Sequence, residues 1–291
     1  MVDVYENIKK GERGAWVSIG AYLALSAFKV VGGSVFASSA LLADGFNNMT
    51  DIVASAAVLI GLRISRKPPD SDHAYGHLRA ETVAALIASF IMAFVGIQVL
   101  VEAGRSFFEG AKQIPNVWSA GVAGISAIVM LGVYRYNRNL ARRINNQALM
   151  AAAKDNLSDA LVSVGAAVGI IGSQFGLPWL DTAAAIAVGL LICRTAWGIF
   201  KESTHNLTDG FDESRLSDLR ATIASTPGVE GIKDMKARIH GNRVLVDIVI
   251  EVDPHISVLE GHRISDRIEE RMEKVHDIMS VHIHVEPKGT G

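Results

Sequence analysis

The sequence predicts a membrane-embedded all-α bundle of six transmembrane helices, followed by a small cytoplasmic α+β domain in the order αββαβ. Three observations lead there. The 291 residues are 49% hydrophobic and 20% charged with a mean hydropathy of +0.28, the balance of a membrane protein that carries a soluble part. The charges gather in a few places and leave six apolar stretches of roughly the 20 residues a bilayer span needs, at 15–37, 39–62, 82–106, 115–134, 149–173 and 179–200. Beyond about residue 205 the apolar runs give way to mixed, periodic sequence. The expected organisation is an N-terminal segment over 1–14, a transmembrane domain over 15–205 and a cytoplasmic domain over 206–291.

Orientation follows from the basic residues of the short connections. Lys9, Lys10 and Arg13, then Arg63, Arg66, Lys67 and Arg79, then Arg135, Arg138, Arg142 and Arg143 fall on one side, against Arg105 and Lys112 on the other. Both termini are expected in the cytoplasm of a multi-pass protein of the inner (plasma) membrane. The first apolar run is too long for a signal peptide and lacks a small-residue cleavage pattern, so it counts as a span. Lys29 within it is either a counter-charge or a side chain snorkelling to the outer face, and snorkelling is preferred. The lone cysteine, Cys193, lies inside the sixth span as an apolar filler, which leaves no disulfide or thiolate metal site.

In the tail, residues 212–225 form an amphipathic helix through Leu216, Leu219 and Ile223, ended by Thr226-Pro227-Gly228. Strands follow over 229–239 and 244–252, joined at His240-Gly241-Asn242, the second alternating Val244, Val246, Ile248 and Ile250 with Leu245, Asp247, Val249 and Glu251. Residues 259–275 repeat Ile264, Ile268 and Met272 at helical spacing, and 279–285 close as a strand. A domain of this size folds alone only marginally, so a partner copy is expected. Nothing in its charge marks a nucleic-acid face.

Two stretches of the membrane domain read alike. Asn47-Asn48-Met49-Thr50-Asp51 and Asp155-Asn156-Leu157-Ser158-Asp159 each set oxygen-bearing side chains four residues apart, one turn apart on one helix face. If the two helices pack side by side, Asn47, Asp51, Asp155 and Asp159 meet. Carboxylates in a span cost about 2.5–3.5 kcal/mol each on insertion scales, so this is a functional cation site. Four oxygen donors without imidazole or thiolate suit Mn²⁺, Mg²⁺ or Ca²⁺ better than Zn²⁺, and Mn²⁺ is the favoured ion. A carboxylate site emptied of metal inside a bundle tends to take up protons, which gives a cycle of metal out and protons in. Asp44, one turn before Asn47, is either a supporting group of the site or a residue near the outer helix end.

Over nearly its whole length the chain resembles the cation diffusion facilitator family. The resemblance rests on six spans, the paired motifs on spans two and five, and the αββαβ tail. Zinc-transporting members usually carry a histidine in one of the two motifs; Asn47 and Asp155 at those positions, with the string Asp44-Gly45-Phe46-Asn47-Asn48, resemble the bacterial manganese-exporting branch. The resemblance implies a homodimer with a metallochaperone-like, ferredoxin-like tail that exports metal in exchange for protons by alternating access. It also implies a second metal position at Asp70, His73 and His77, whose spacing a short helix would bring together. In the tail it implies a partial cluster of His262, His284 and Glu286, completed by Asp247 or His282, with Lys233 and Val249 replacing two histidines of the zinc-type pattern. Last, it implies a charge pair between Arg79 and Asp209 at the junction of membrane domain and tail.

These features make the chain a secondary transporter, a cation/proton antiporter without a prosthetic group, and not an enzyme: no nucleophile is paired with a base near the polar cluster. The expected cargo is Mn²⁺. Zn²⁺, Fe²⁺ or Co²⁺ export by the same machinery is the alternative, and a metal-responsive membrane sensor, which would need an intact tail site, is the competing class.

Overall fold

A computed structural model of the chain describes residues 2–35, 39–109, 116–175, 179–241, 243–278 and 280–289. It divides into two compact units, Met1–Ser203 and Thr204–Gly291.

The first unit is built from six long helices: α1 (Val2–Val35), α2 (Ser39–Ser65), α3 (Ala80–Glu109), α4 (Val117–Ile144), α5 (Gln147–Gln174) and α6 (Trp179–Leu207). Over the described residues, each of the six expected spans falls on one of these helices. Among the described residues, three helices hold a stretch long and apolar enough to cross a bilayer: Lys9–Gly32, Ala80–Arg105 and Val117–Ile144. Each helix follows the polypeptide rather than the apolar run. The segment expected ahead of the first span is itself helical from Val2, and Glu12 within it reaches Arg66 of the turn after α2 at 2.9 Å. Likewise α4 continues through the basic stretch to Ile144, because nothing before Asn145, which adopts a left-handed conformation (φ 48°), breaks the helix.

Helix α1 packs on α2, α4 and α5, and α5 packs on α4, α3 and α2. Small residues make these approaches close. Half of the buried cluster around Leu62 is alanine: Ala15, Ala84, Ala85, Ala88, Ala148, Ala151, Ala152 and Ala196. Gly45 lies where α1 crosses α2, and a Cβ there would meet Val30 Cγ2 at 2.9 Å and Lys29 Cβ at 3.2 Å. At Gly61 a Cβ would collide with Ala84 of α3.

The second unit contains α7 (Glu213–Ala224), β1 (Gly231–His240), β2 (Arg243–Val252), α8 (Val258–His276) and β3 (Ser280–Pro287), the αββαβ order expected. Strand order is β1-β2-β3, with β2 antiparallel to β1 and parallel to β3. The parallel pair requires a crossover, which α8 supplies. Asp212 caps α7 and Ser257 caps α8, accepting from the backbone N–H of Glu260. Val246, Ile248, Ile250 and Val252 face the helices and bury against Leu219, Ile223, Ile264, Ile268 and Met272. The alternate residues of β2 and β3 therefore lie on the opposite sheet face.

Candidate metal centre

The packing of α2 beside α5 brings three of the four motif residues to one spot. Asp51, Asp155 and Asp159 each present a carboxylate oxygen, and these oxygens lie within 4.8 Å of one another. Asp51 is 2% and Asp159 7% exposed. Three carboxylates at this spacing are a ready chelate for a hard cation. The side chains of Asn47 and Asp44 lie outside the described residues.

Helix α1 supplies the lining of the site. The Tyr22 hydroxyl, fully buried, donates to Asp159 Oδ2 and lies 3.4 Å from Asp155 Oδ2. Asn156 Nδ2 donates to that hydroxyl at 3.0 Å, while its Oδ1 accepts from Ser18 Oγ at 3.1 Å and from Asn137 Nδ2 of α4 at 3.0 Å. The chain Asn137, Ser18, Asn156, Tyr22, Asp159 joins three helices to one ligand and fixes its orientation. The snorkelling expected of Lys29 is overturned. It is 1% exposed, with Nζ 3.4 Å from Asn48 Oδ1 and 3.4 Å from Ser163 Oγ. Sequence reasoning picked out none of Ser18, Tyr22 and Asn137, and a signal was there: Ser18, Tyr22, Ser26 and Lys29 recur at intervals of four, four and three, one face of a helix.

Another buried carboxylate went unnoticed. Glu81, in the first turn of α3, is fully buried and accepts from Asn146 Nδ2 at 2.5 Å. The same Asn146 accepts from Leu149 N–H at 2.8 Å and so caps α5. Glu81 thereby ties α3 to the start of the helix that carries Asp155 and Asp159.

Asp70, His73 and His77 also converge, with ligand atoms within 4.8 Å of one another, but on a turn and not on the short helix expected. Asp70 Oδ1 accepts from the backbone N–H groups of His73 (2.8 Å) and Asp72 (3.1 Å), which folds the turn around the carboxylate. Those amide bonds, the His73 bond first, hold the Asp70 carboxyl below its usual range. His77 Nε2 lies 3.6 Å from Asp70 Oδ2, and the two imidazole rings are 4.2 Å apart.

The tail set is not assembled within one chain. Asp247, His284 and Glu286 lie on the exposed sheet face, where Asp247 pairs in register with His282 and Val249 with His284. His262 sits on α8 and faces Asp266 at 3.8 Å. Glu286 is engaged by Lys233 Nζ at 2.7 Å, with His284 Nε2 3.6 Å from its other oxygen. No group of three ligating side chains in the tail meets the spacing of the two clusters above among the described residues. The physical reason is the strand period: the helix-borne histidine and the strand-borne ligands occupy opposite layers. Arg79 precedes α3 in the first unit, and Asp209 occupies a left-handed turn (φ 60°) in the second.

A tri-carboxylate between long helices, two of its members buried and the third half-buried, with an α+β tail, is the arrangement of a cation transporter. Residues 15–208 match the cation efflux transmembrane domain and residues 211–288 the cytoplasmic domain of cation efflux proteins. The manganese efflux system protein MneS of Bacillus subtilis (strain 168) is 56% identical over 283 residues, covering 97% of this chain and 98% of that protein. The manganese efflux system protein MneP of the same organism is 33% identical over 282 residues, covering 94% and 95%. An uncharacterized transporter, YdbO, also from that organism, is 51% identical over 282 residues, covering 97% of both chains. The chain belongs to the cation efflux, or cation diffusion facilitator, family, in its manganese-exporting branch.

Proposed function

We propose that this protein exports Mn²⁺ from the cytoplasm across the inner (plasma) membrane in exchange for protons, by alternating access, as a homodimer with both termini cytoplasmic. The observation that carries the reading is the all-oxygen cluster of buried Asp51 and Asp159 with half-buried Asp155 on two adjacent helices. Asn47, one turn before Asp51 on α2, is the fourth ligand. Oxygen donors alone favour a hard divalent ion and forgo the imidazole that would favour Zn²⁺. The likeness to MneS and MneP supports the same ion.

Proton exchange follows from charge balance. When a divalent ion leaves three carboxylates packed within 4.8 Å, positive charge must replace it, and a proton is the cation that fits a buried carboxylate. Asp70, His73 and His77 form a cytoplasmic capture site that hands ions on without being essential. The tail serves dimerisation, with Arg79 and Asp209 as a charge pair that positions the two domains. Within one chain the geometry gives Asp247, His262, His284 and Glu286 no common site, so any metal they bind is regulatory and weak.

The test is uptake of Mn²⁺, and separately Zn²⁺, into proteoliposomes under an imposed pH gradient, for the parent and for Asp51→Ala and Asp159→Ala. The expected result is Mn²⁺ uptake with a matching change in lumenal pH, abolished by both substitutions. Zn²⁺ uptake without Mn²⁺ would overturn the choice of ion, and transport that survives both substitutions would overturn the site.

A further inference from the structure

We infer that Tyr22 is a specificity-determining residue of the transport site: its ring closes the α1 flank against water, so that Mn²⁺, which sheds water readily, is accepted and Mg²⁺, which keeps it, is rejected. The inference rests on the metal-binding role proposed for Asp51, Asp155 and Asp159.

Oxygen donors alone do not tell these two ions apart, since carboxylates, carbonyls and water suit Mg²⁺ as well as Mn²⁺. Hydration does. Mg²⁺ is the smaller ion, dehydrates reluctantly and keeps several water ligands beside one or two carboxylates. A site rejects it by giving those waters neither room nor hydrogen-bond partners.

Both conditions hold where α1 meets the cluster. Tyr22 is fully buried and packs with Leu25 of its own helix, Met130 of α4 and Ala160 of α5, with Ile52 of α2 against them. Ile52 follows Asp51 and Ala160 follows Asp159 in the chain, so this apolar wall adjoins two of the carboxylates. The hydroxyl at its end donates to Asp159 Oδ2 and lies 3.4 Å from Asp155 Oδ2. From the α1 side, an ion on these carboxylates meets a phenol and not solvent.

The polar groups behind the phenol are turned to one another. Asn156 spends Nδ2 on the Tyr22 hydroxyl and Oδ1 on Ser18 Oγ and Asn137 Nδ2, and Asn137 Nδ2 also donates to Ser18 Oγ at 2.7 Å. All three are buried. Asn137 Oδ1 has no hydrogen-bond partner among the described residues, but it lies at Gly14, where a Cβ would meet it at 2.8 Å. Gly14 is roughly two turns of α1 away from Tyr22. Ring and hydroxyl therefore do different work. Losing the hydroxyl costs Asp159 its support and weakens every ion. Losing the ring leaves a space beside carboxylates that is polar enough for water to enter, and with the water comes Mg²⁺.

The experiment is Mn²⁺ uptake by the full-length protein in proteoliposomes with Mg²⁺ as competitor, counting only uptake that Asp51→Asn abolishes. Electron spin-echo spectroscopy of bound Mn²⁺ in deuterated water counts its water ligands. In the parent, excess Mg²⁺ should compete poorly, and water should supply fewer than half of the Mn²⁺ ligands. Tyr22→Phe should need more Mn²⁺ yet keep the parent's ratio of Mn²⁺ to Mg²⁺ affinity. Tyr22→Ala should lower that ratio by about tenfold or more and add water ligands. An unchanged ratio in Tyr22→Ala, an equal fall in Tyr22→Phe, or a parent whose Mn²⁺ is mostly hydrated overturns the inference. If Tyr22→Ala does not fold, Tyr22→Val is read by the same criteria, and the parent's water count decides independently of either. A parent without Asp51-dependent Mn²⁺ uptake would instead refute the underlying metal site.

Discussion

Replacing Asp51 by asparagine should make the metal-free protein more stable while removing its response to manganese. The carboxylate oxygens of Asp51, Asp155 and Asp159 lie within 4.8 Å of one another, so each ionised pair repels by about 3.5 kcal/mol at an effective dielectric of 20. Asparagine at 51 removes two of the three pairs, relieving about 7 kcal/mol, less whatever bound protons already offset. Each kcal/mol realised raises the unfolding temperature by about 2–4 °C for a unit of this size. Manganese acts on the parent in the opposite sense, adding about 2.7 kcal/mol at a hundred times its dissociation constant. Thermal unfolding of detergent-solubilised protein, followed by tryptophan fluorescence with chelator and with Mn²⁺, should therefore cross over. Asp51→Asn should melt above the parent in chelator and fail to shift with the ion. A variant less stable than the parent in chelator, or one that keeps the full manganese shift, would refute the claim that these three carboxylates form one strained, metal-relieved cluster.

Two further outcomes follow from neighbouring groups. Tyr22→Phe deletes the hydroxyl that orients Asp159 and accepts from Asn156, and should raise the KM for Mn²⁺ by about tenfold in proteoliposome transport, the usual effect of losing a ligand's support. An unchanged KM would show that α1 does not position the ligand. In the tail, the Lys233 ammonium 2.7 Å away holds the Glu286 carboxyl below its ordinary value of 4.5. Because the folded value is the lower one, the pair's contribution is present above the ordinary glutamate range and is lost as pH falls through the depressed value. Glu286 in turn holds Lys233 above its ordinary 10.5, so that contribution is complete at neutral pH and lost only as pH rises through the elevated value. Carboxyl-carbon NMR of Glu286 should titrate below the ordinary glutamate value in the parent and return toward it in Lys233→Ala.

The carboxylate site and the tail fold were legible in the sequence for one reason: each is written in a period. Asp51 and the Asp155/Asp159 pair sit at helical intervals inside apolar runs, and the alternation of Val246, Ile248 and Ile250 declares a half-buried strand. What escaped was whatever depends on which helix faces which. Lys29 is equally a snorkelling or a buried lysine until α1 is known to cross α2 at Gly45 and α5 at Ser163. Asp70, His73 and His77 share an interval that suits a helix, yet the Asp70 carboxylate captures the amides of Asp72 and His73 and makes a turn instead. His262 and His284 could be grouped on paper, but a helix and a strand carry them on opposite layers of the tail. The apolar spans do not give the helix bounds, because apolarity marks a lipid-facing length while the hydrogen-bonded helix runs on to the next breaker, as α4 does to Asn145.

The arrangement divides the site's labour unequally among helices, and that inequality bears on coupling. Helices α2 and α5 hold the described carboxylates, whereas α1 contributes Ser18, Tyr22, Ser26 and Lys29 along one face, none of them a carboxylate. Ser18 reaches Asn156, Tyr22 reaches Asp159, Ser26 donates to the Gly45 carbonyl at 2.8 Å, and Lys29 touches both Asn48 and Ser163. In the proposed cycle, a metal ion drawing Asp159 toward Asp51 would compete with the Tyr22 hydroxyl for the carboxylate. Loading would then weaken contacts that α1 makes in the empty site, and unloading would restore them. A ligand shifts a conformational equilibrium only through such differential contacts. On the proposed function, the polar stripe of α1, and not the carboxylates alone, is where the presence of the ion would be converted into a change in helix packing.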